Sequence, residues 1–360
     1  MRKIKTEAWV LEKNNKNFLK KEILFEDLKN DEVLLKPLYG CLEGNMVHAM
    51  NNDPINIFNE RNEDQIILGN AGVLEIEGLG SKSSKFKIGD KVIYFCNGES
   101  DEYGYPLKIT GYDKSKSMGM LAKRIKLKQN EIIKIPDDKN ITLEQWAAFS
   151  LKFITAWSNW KVAYNTWRIQ MPNIENEKIY VFGWGGGVTY AELLLAKKYG
   201  CKCFMITSKE ENIKLCKENG IEVFNRKIVD KSNMENELLE YVDSKTNKKG
   251  VSIFIDNIGK DVYKLTIKAL GRQAIITTSG WKTGGMLPIL RQNECQNRHI
   301  HVFTHYAKYE EGEEAIKFAQ KQNWLPPVCE KVYQWDEIPK LIEDYKLGNL
   351  KTYFPIFKVN

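Results

Sequence analysis

The stretch "YVFGWGGGVTYAELLLAKKYG", residues 180–200, decides how the chain is read. An apolar run enters a cluster of four glycines and leaves as an alanine- and leucine-rich segment with helical spacing. Between a parallel strand and a helix, such a cluster has a mechanical meaning. Gly183 permits the tight turn, while Gly185 and Gly186 remove Cβ atoms so that a diphosphate can approach the backbone. Gly186 and Gly187 let the helix pack near the strand. The first helical N–H groups, Val188 among them, present partial positive charge to the phosphates. The expected coenzyme contacts here are Gly183, Gly185, Gly186, Gly187 and Val188.

Outward from this turn, elements alternate. "KIYVFG" reads as a strand, "TYAELLLAKKYG" as a helix, "CKCFMIT" as a strand and "KEENIKLCKENG" as a helix. "SIFIDNIG", "DVYKLTIKALG" and "RQAIITTSG" follow as strand, helix and strand. This spacing implies an α/β fold: a Rossmann-type, doubly wound parallel sheet with helices on both faces. Residues 151–300 form that domain. Residues 1–150 are strand-rich, with "EVLLKPL", "GVLEIEGLG" and "DKVIYF" divided by Gly, Asn and Asp clusters. Apolar residues three and four apart make 142–164 helical. Residues 301–360 end in a helix and a strand that return to the first domain.

The tip of the second strand bears on which dinucleotide binds. An NAD site usually places Asp or Glu there to hold the ribose hydroxyls. "CKCFMIT" ends instead in Thr207, Ser208 and Lys209, and Glu210 starts the next helix. A hydroxyl and an ammonium suit a 2′-phosphate, so the expected cofactor is NADPH. The alternative is that Ser208 is a helix N-cap with Lys209 in solvent; Ser208 can serve both ends. The loops Asp256–Gly259 and Thr277–Gly280 follow strands at the carboxyl edge of the sheet, where ligands gather in open α/β folds. Asn257, Ile258, Ser279 and Gly280 are therefore expected near the nicotinamide.

Composition narrows the partners. The 360 residues carry a formal net charge of +7, with 42% hydrophobic and 28% charged residues. No apolar run approaches the ~20 residues of a membrane span. The N-terminal "MRKIKTEAWVLEKNNKNFLKK" lacks the apolar core of a secretory signal. The expectation is a cytoplasmic protein with no membrane partner. The charges are interspersed rather than gathered in a basic stripe with aromatics, so no nucleic acid is expected. A mildly basic surface suits anionic small molecules. Seven cysteines at irregular spacing argue for reduced thiols rather than a disulfide framework.

The ordered landmarks "AWVLEK", "DEVLLKPLYGC", "ILGNAGV", "FKIGDKV", the glycine turn, "FIDNIG", "IITTSG" and "YFPIFKVN" resemble the medium-chain dehydrogenase/reductase superfamily over nearly the full length. The resemblance implies a GroES-like catalytic domain interrupted by the nucleotide-binding domain. It also implies an active site in the cleft between them, and a homodimer. The turn looks most like that of the quinone and enoyl reductase branches, with Thr189 in place of the last glycine. Against the zinc-dependent branch, matching through His48 puts Glu43 where a metal-binding thiolate belongs. Asn70 and Ala71 stand for its His-Glu pair, and Cys96 stands alone where a four-cysteine lobe belongs. The expected metal complement is none.

Two further segments resemble the crotonyl-CoA carboxylase/reductase group: "GYD", holding Tyr112 and Asp113, and "VFTHYAKY", holding His305. Asn45 in "EGNMVHAM" matches an asparagine lining the family's pocket. The resemblance thus implies Asn45, Tyr112, Asp113 and His305 as catalytic candidates. The bland readings are packing for Tyr112 and turn capping for Asp113. His299, His301 and His305 share odd spacing, which puts them on one strand face. The expected activity is NADPH-dependent, zinc-independent reduction of an α,β-unsaturated carbonyl, an enoyl thioester of CoA or a carrier protein. Lys114, Lys116 and Lys308 are candidates for a basic mouth. Alternatives are a quinone or aldehyde/ketone reductase, and a non-catalytic NADPH-binding protein.

Overall fold

A computed structural model describes residues 3–15, 17–53, 55–228, 232–280, 295–303 and 305–360. The chain forms two compact units. One comprises Met1–Ile154, Ala307–Leu350 and Phe354–Asn360; the other comprises Thr155–Tyr306 and Lys351–Tyr353.

The second unit is built on a six-stranded parallel sheet. Its strands run Glu222–Asn225, Lys202–Thr207, Tyr180–Trp184, Val251–Ile255, Leu270–Thr277 and His301–Phe303 across the sheet. Numbered along the chain, that order is 3-2-1-4-5-6, the doubly wound arrangement. The order reverses between Tyr180–Trp184 and Val251–Ile255, the switch point at whose carboxyl ends open α/β sheets bind ligands, beside the glycine turn. The central strands Tyr180–Trp184 and Val251–Ile255 are buried on both faces and read as nearly continuous apolar runs. Phe182 stacks on Phe204 at 4.4 Å, a contact worth about 0.5–1.5 kcal/mol beyond its buried area. The helix Gly187–Lys198 follows the turn and uses the strong helix formers Ala, Leu, Glu and Lys. The strand Glu222–Asn225 and the helix Met234–Thr246 complete the alternation between stretches read as "KEENIKLCKENG" and "SIFIDNIG".

The histidine face expected near the end of this unit is corrected. The strand covers only His301–Phe303. His299 has φ 53°, a turn conformation, and His305 lies beyond the strand. Of the three, His301 alone sits on the strand, with its Nε2 3.0 Å from Gln170 Oε1.

The first unit is mainly antiparallel. Glu32–Cys41 is its central strand, pairing with Gly72–Leu79 and Ile356–Lys358, and also with Ile125–Lys128. A three-stranded sheet of Phe18–Glu26, Lys3–Glu12 and Gln65–Ile66 packs into the same core, where Ala8, Leu35, Leu74 and Phe357 are buried together. Among the described residues, no helix is long and apolar enough to cross a membrane.

Candidate functional site

The glycine turn places the helix start against the first strand. A Cβ on Gly183 would lie 2.3 Å from Thr189 Cγ2 and 3.1 Å from Ile255 Cβ. The bare Cα of Gly183 thus receives the Thr189 methyl, which explains how a threonine stands where related turns carry glycine. Thr189 is fully buried, and its hydroxyl takes a 3.4 Å contact from Asn257 Nδ2. Gly186 is the N-cap residue in an extended conformation, and no side chain caps the helix Gly187–Lys198. A Cβ on Gly186 would meet only Thr189 Oγ1, at 3.8 Å. Residues 185–188 are half-buried. An uncapped helix start beside an open glycine offers unspent N–H donors and the positive end of the helix dipole. That chemistry fits a diphosphate.

Gly185 is closely packed against protein. The space its side chain would fill is taken by protein: Tyr353 hydroxyl at 2.9 Å, Thr207 Oγ1 at 3.1 Å and Ile206 O at 3.3 Å from the Cβ position. The next strand and the C-terminal segment fill the place of a side chain there.

At the tip of the second strand, Thr207 is buried, Ser208 half-buried and Lys209 exposed. The helix Glu210–Glu218 has Lys209 as its N-cap residue and no side-chain cap. Ser208 therefore does not cap it. Arg226, exposed, joins this edge through its N–H, which donates to Thr207 O at 3.0 Å. Sequence reasoning missed this cation; the available signal was "NRK" directly after the strand Glu222–Asn225.

The two carboxyl-edge loops meet. Asn257 Oδ1 accepts from Ser279 N at 2.8 Å and from Ser279 Oγ at 3.1 Å. A Cβ on Gly280 would lie 3.0 Å from Asn257 O. Asp256, almost fully buried, shapes the loop by accepting from Ile258 N and Gly259 N at 3.0 and 2.9 Å, and from Thr266 Oγ1 at 2.7 Å. Burial raises its carboxyl above the usual range, and these donors offset part of the rise. Asn257, Ser279 and Gly280 thus converge with Thr189 at one edge. Ile258 is half-buried in the same loop.

The substrate-side candidates divide between the units. Asn45 lies in the first turn of the helix Gly44–Asn51, its Oδ1 buried with no hydrogen-bond partner. Tyr112 is buried in the core of the first unit, and its carbonyl accepts from Arg61 Nη1 at 3.1 Å. Asp113 Oδ1 accepts from Ile109 N at 2.5 Å, so it caps its own turn. Burial pushes its carboxyl up. His305, 9% exposed, belongs to the second unit. Lys114 is not a mouth residue: its ammonium is held by Glu131 at 2.6 Å and Glu99 at 2.9 Å. Lys116 is exposed, and the Lys308 ammonium lies 4.3 Å from the Tyr105 ring centroid.

Glu43 carries a feature the sequence concealed. Its carboxylate leaves the helix Gly44–Asn51 uncapped and meets Lys152 Nζ at 2.5 Å. The same ammonium donates to Cys41 Sγ at 3.2 Å and Leu42 O at 3.4 Å. All of these side chains are buried. Burial works against the charge on Lys152, but the Glu43 carboxylate beside it favours the ammonium, and the pair's net effect raises Lys152 above the usual lysine range. Burial drives the Cys41 thiol up to about 12. Where the zinc-dependent branch would place a metal-binding thiolate, this chain holds an ion pair with an internal ammonium.

Comparison with known proteins agrees with this construction. Residues 29–137 match the alcohol dehydrogenase GroES-like domain, and residues 187–321 match the zinc-binding dehydrogenase family. A quinone oxidoreductase of Pseudomonas aeruginosa is 26% identical over 231 residues, 62% of this chain and 60% of that protein. The chain therefore spans less than two thirds of that relative. An acryloyl-coenzyme A reductase of Sulfurisphaera tokodaii is 24% identical over 290 residues, 78% of this chain and 80% of that protein. The solved structure of a 2-octenoyl-CoA carboxylase reductase in complex with NADP and 2-octenoyl-CoA superposes with a TM-score of 0.80. It shares 16% identity and covers 98% of this chain and 87% of that one.

Proposed function

The chain belongs to the medium-chain dehydrogenase/reductase superfamily and is an oxidoreductase of its enoyl reductase and quinone reductase type, and from that premise we propose that it is an NADPH-dependent reductase of α,β-unsaturated carbonyls, with an enoyl thioester as substrate. The observation that supports this most directly is the uncapped helix start beside open Gly186, on the first strand of a 3-2-1-4-5-6 sheet. When bound, the nicotinamide supplies a hydride for the β-carbon of the alkene. The N–H groups of Gly187 and Val188 hold the diphosphate. Ser208, Lys209 and Arg226 take the 2′-phosphate, and Asn257, Ile258, Ser279 and Gly280 shape the nicotinamide end. Charge that builds on the substrate carbonyl oxygen needs donors already in place. Tyr112, His305 and the Asn45 amide are the proposed groups, with His305 delivering the proton to the α-carbon. Asp113, committed to Ile109 N–H, positions the Tyr112 loop rather than reacting. Lys116 and Lys308 serve an acyl-carrier phosphate.

A quinone reductase is the second reading, favoured by the relative of that name. Oxidation of NADPH in the presence of crotonyl-CoA, set against a small benzoquinone, separates the two. The thioester should be turned over faster. Saturable NADPH binding with no oxidation by either acceptor would leave a non-catalytic nucleotide-binding protein instead. Lys209→Glu should weaken NADPH at least ten-fold and leave NADH nearly unchanged in a fluorescence titration. Equal losses for both nucleotides would remove the 2′-phosphate assignment.

A further inference from the structure

Three residues near the C-terminus, Lys351–Tyr353, belong to the nucleotide-binding unit, although the residues on both sides of them belong to the other. They attach to the elements that surround the coenzyme turn. The Tyr353 hydroxyl shares a hydrogen bond of 3.2 Å with Thr207 Oγ1 at the tip of the second strand. Its ring lies 6.4 Å from that of Tyr190 on the helix that leaves the turn. Lys351 Nζ lies 4.0 Å from Glu211 in the first turn of the next helix. The Tyr353 hydroxyl also fills the space over Gly185, and the Arg226 charge reaches it. Tyr353 is only half-buried, so part of it remains open to a ligand.

We propose that Tyr353 is a coenzyme-binding residue: with Thr207 it forms the wall that receives the adenosine ribose. The proposal rests on the dinucleotide reading above. Where a carboxylate would hold ribose hydroxyls in an NAD site, this chain places two hydroxyls that can each donate and accept. A neutral pair of this kind binds the ribose without repelling a neighbouring 2′-phosphate, which Lys209 and Arg226 then attract. The C-terminal segment thereby contributes to a pocket otherwise built from residues 180–226. It also accounts for Gly185, since a side chain there would displace the phenol.

The test is nucleotide binding, read by quenching of tryptophan fluorescence and by the shift in melting temperature, for the full chain and for Tyr353→Phe and Tyr353→Ala. Tyr353→Phe keeps the ring and should weaken both NADPH and NADH three- to ten-fold, with the nucleotide-free melting temperature within a few degrees of wild type. Tyr353→Ala should weaken them further. This pattern differs from that of Lys209→Glu, which falls on NADPH alone. Wild-type affinity in Tyr353→Phe would overturn the proposal and leave the phenol as padding over Gly185. Failure of the unaltered protein to bind either nucleotide would instead refute the dinucleotide reading, and the proposal with it. Should Tyr353→Ala fail to fold, Tyr353→Phe decides alone.

Discussion

Glu192 lies fully buried on the helix that leaves the glycine turn. One carboxyl oxygen accepts from Thr277 Oγ1 at 3.2 Å, and the other has no partner. Burial pushes its carboxyl well above the usual range, and the Thr277 hydroxyl opposes this only in part. A folded value raised above the unfolded one favours the protonated acid in the native state. Its contribution to stability is complete below the unfolded value of about 4.3. It is lost as pH rises toward the folded value, because the folded state then binds more protons than the unfolded one. Glu192→Gln removes this titration while keeping the size and a donor for the cavity. Denaturant unfolding of both proteins from pH 5 to 8 should therefore show wild-type stability falling relative to the variant, with a slope of at most about 1.4 kcal/mol per pH unit. Parallel curves would mean that Glu192 keeps the same protonation state throughout that range.

Between elements, the contact that sets the helix against its strand is the Thr189 methyl on the bare Cα of Gly183. Gly183→Ala puts a carbon 2.3 Å from that methyl and should cost about 1–3 kcal/mol of unfolding free energy, as overpacking does in rigid cores. Thr189→Ser in the same chain removes the methyl and keeps the hydroxyl that faces Asn257. It should recover most of the loss, a coupling that a double-mutant cycle in denaturant measures. Strictly additive costs would show that the two side chains do not share this space. The parallel sheet was legible because its strands are short apolar runs punctuated by glycine turns. The strand Glu222–Asn225 and the helix Met234–Thr246 were passed over because the apolar residues of "EVFNRKIVDKSNMENELLEYV" come mostly in adjacent pairs broken by charged and amide residues, which mark neither period clearly. Odd spacing over-read the histidines, since it cannot register the turn at His299. Local parts of the site, the turn and the Ser208–Lys209 tip, could be read from neighbouring residues. The ion pair of Lys152 with Glu43 and the Tyr353–Thr207 hydrogen bond join residues 109 and 146 apart, and nothing in one segment announces the other.

For the whole molecule, the two units should answer differently to coenzyme. A ligand that binds only folded protein stabilises it by RT ln(1 + [L]/Kd), about 2.7 kcal/mol at one hundred times Kd. Amides that exchange by opening of the coenzyme-binding unit should then slow about one hundred-fold. With NADPH present, hydrogen exchange should therefore slow across Tyr180–Trp184, Gly187–Lys198 and Lys202–Thr207. The chain also provides a sharp internal contrast. Residues 351–353 belong to the parallel-sheet unit, while Ile356–Lys358 pairs with Glu32–Cys41 in the other. If the coenzyme acts through the unit that holds it, protection rises at 352 and 353 and changes less at 356–358 and along Glu32–Cys41. Equal protection in both places would mean that the molecule opens as one cooperative body. Protection confined to Glu32–Cys41 and Ile356–Lys358 would mean that the nucleotide binds elsewhere, and the glycine turn would lose its assigned ligand.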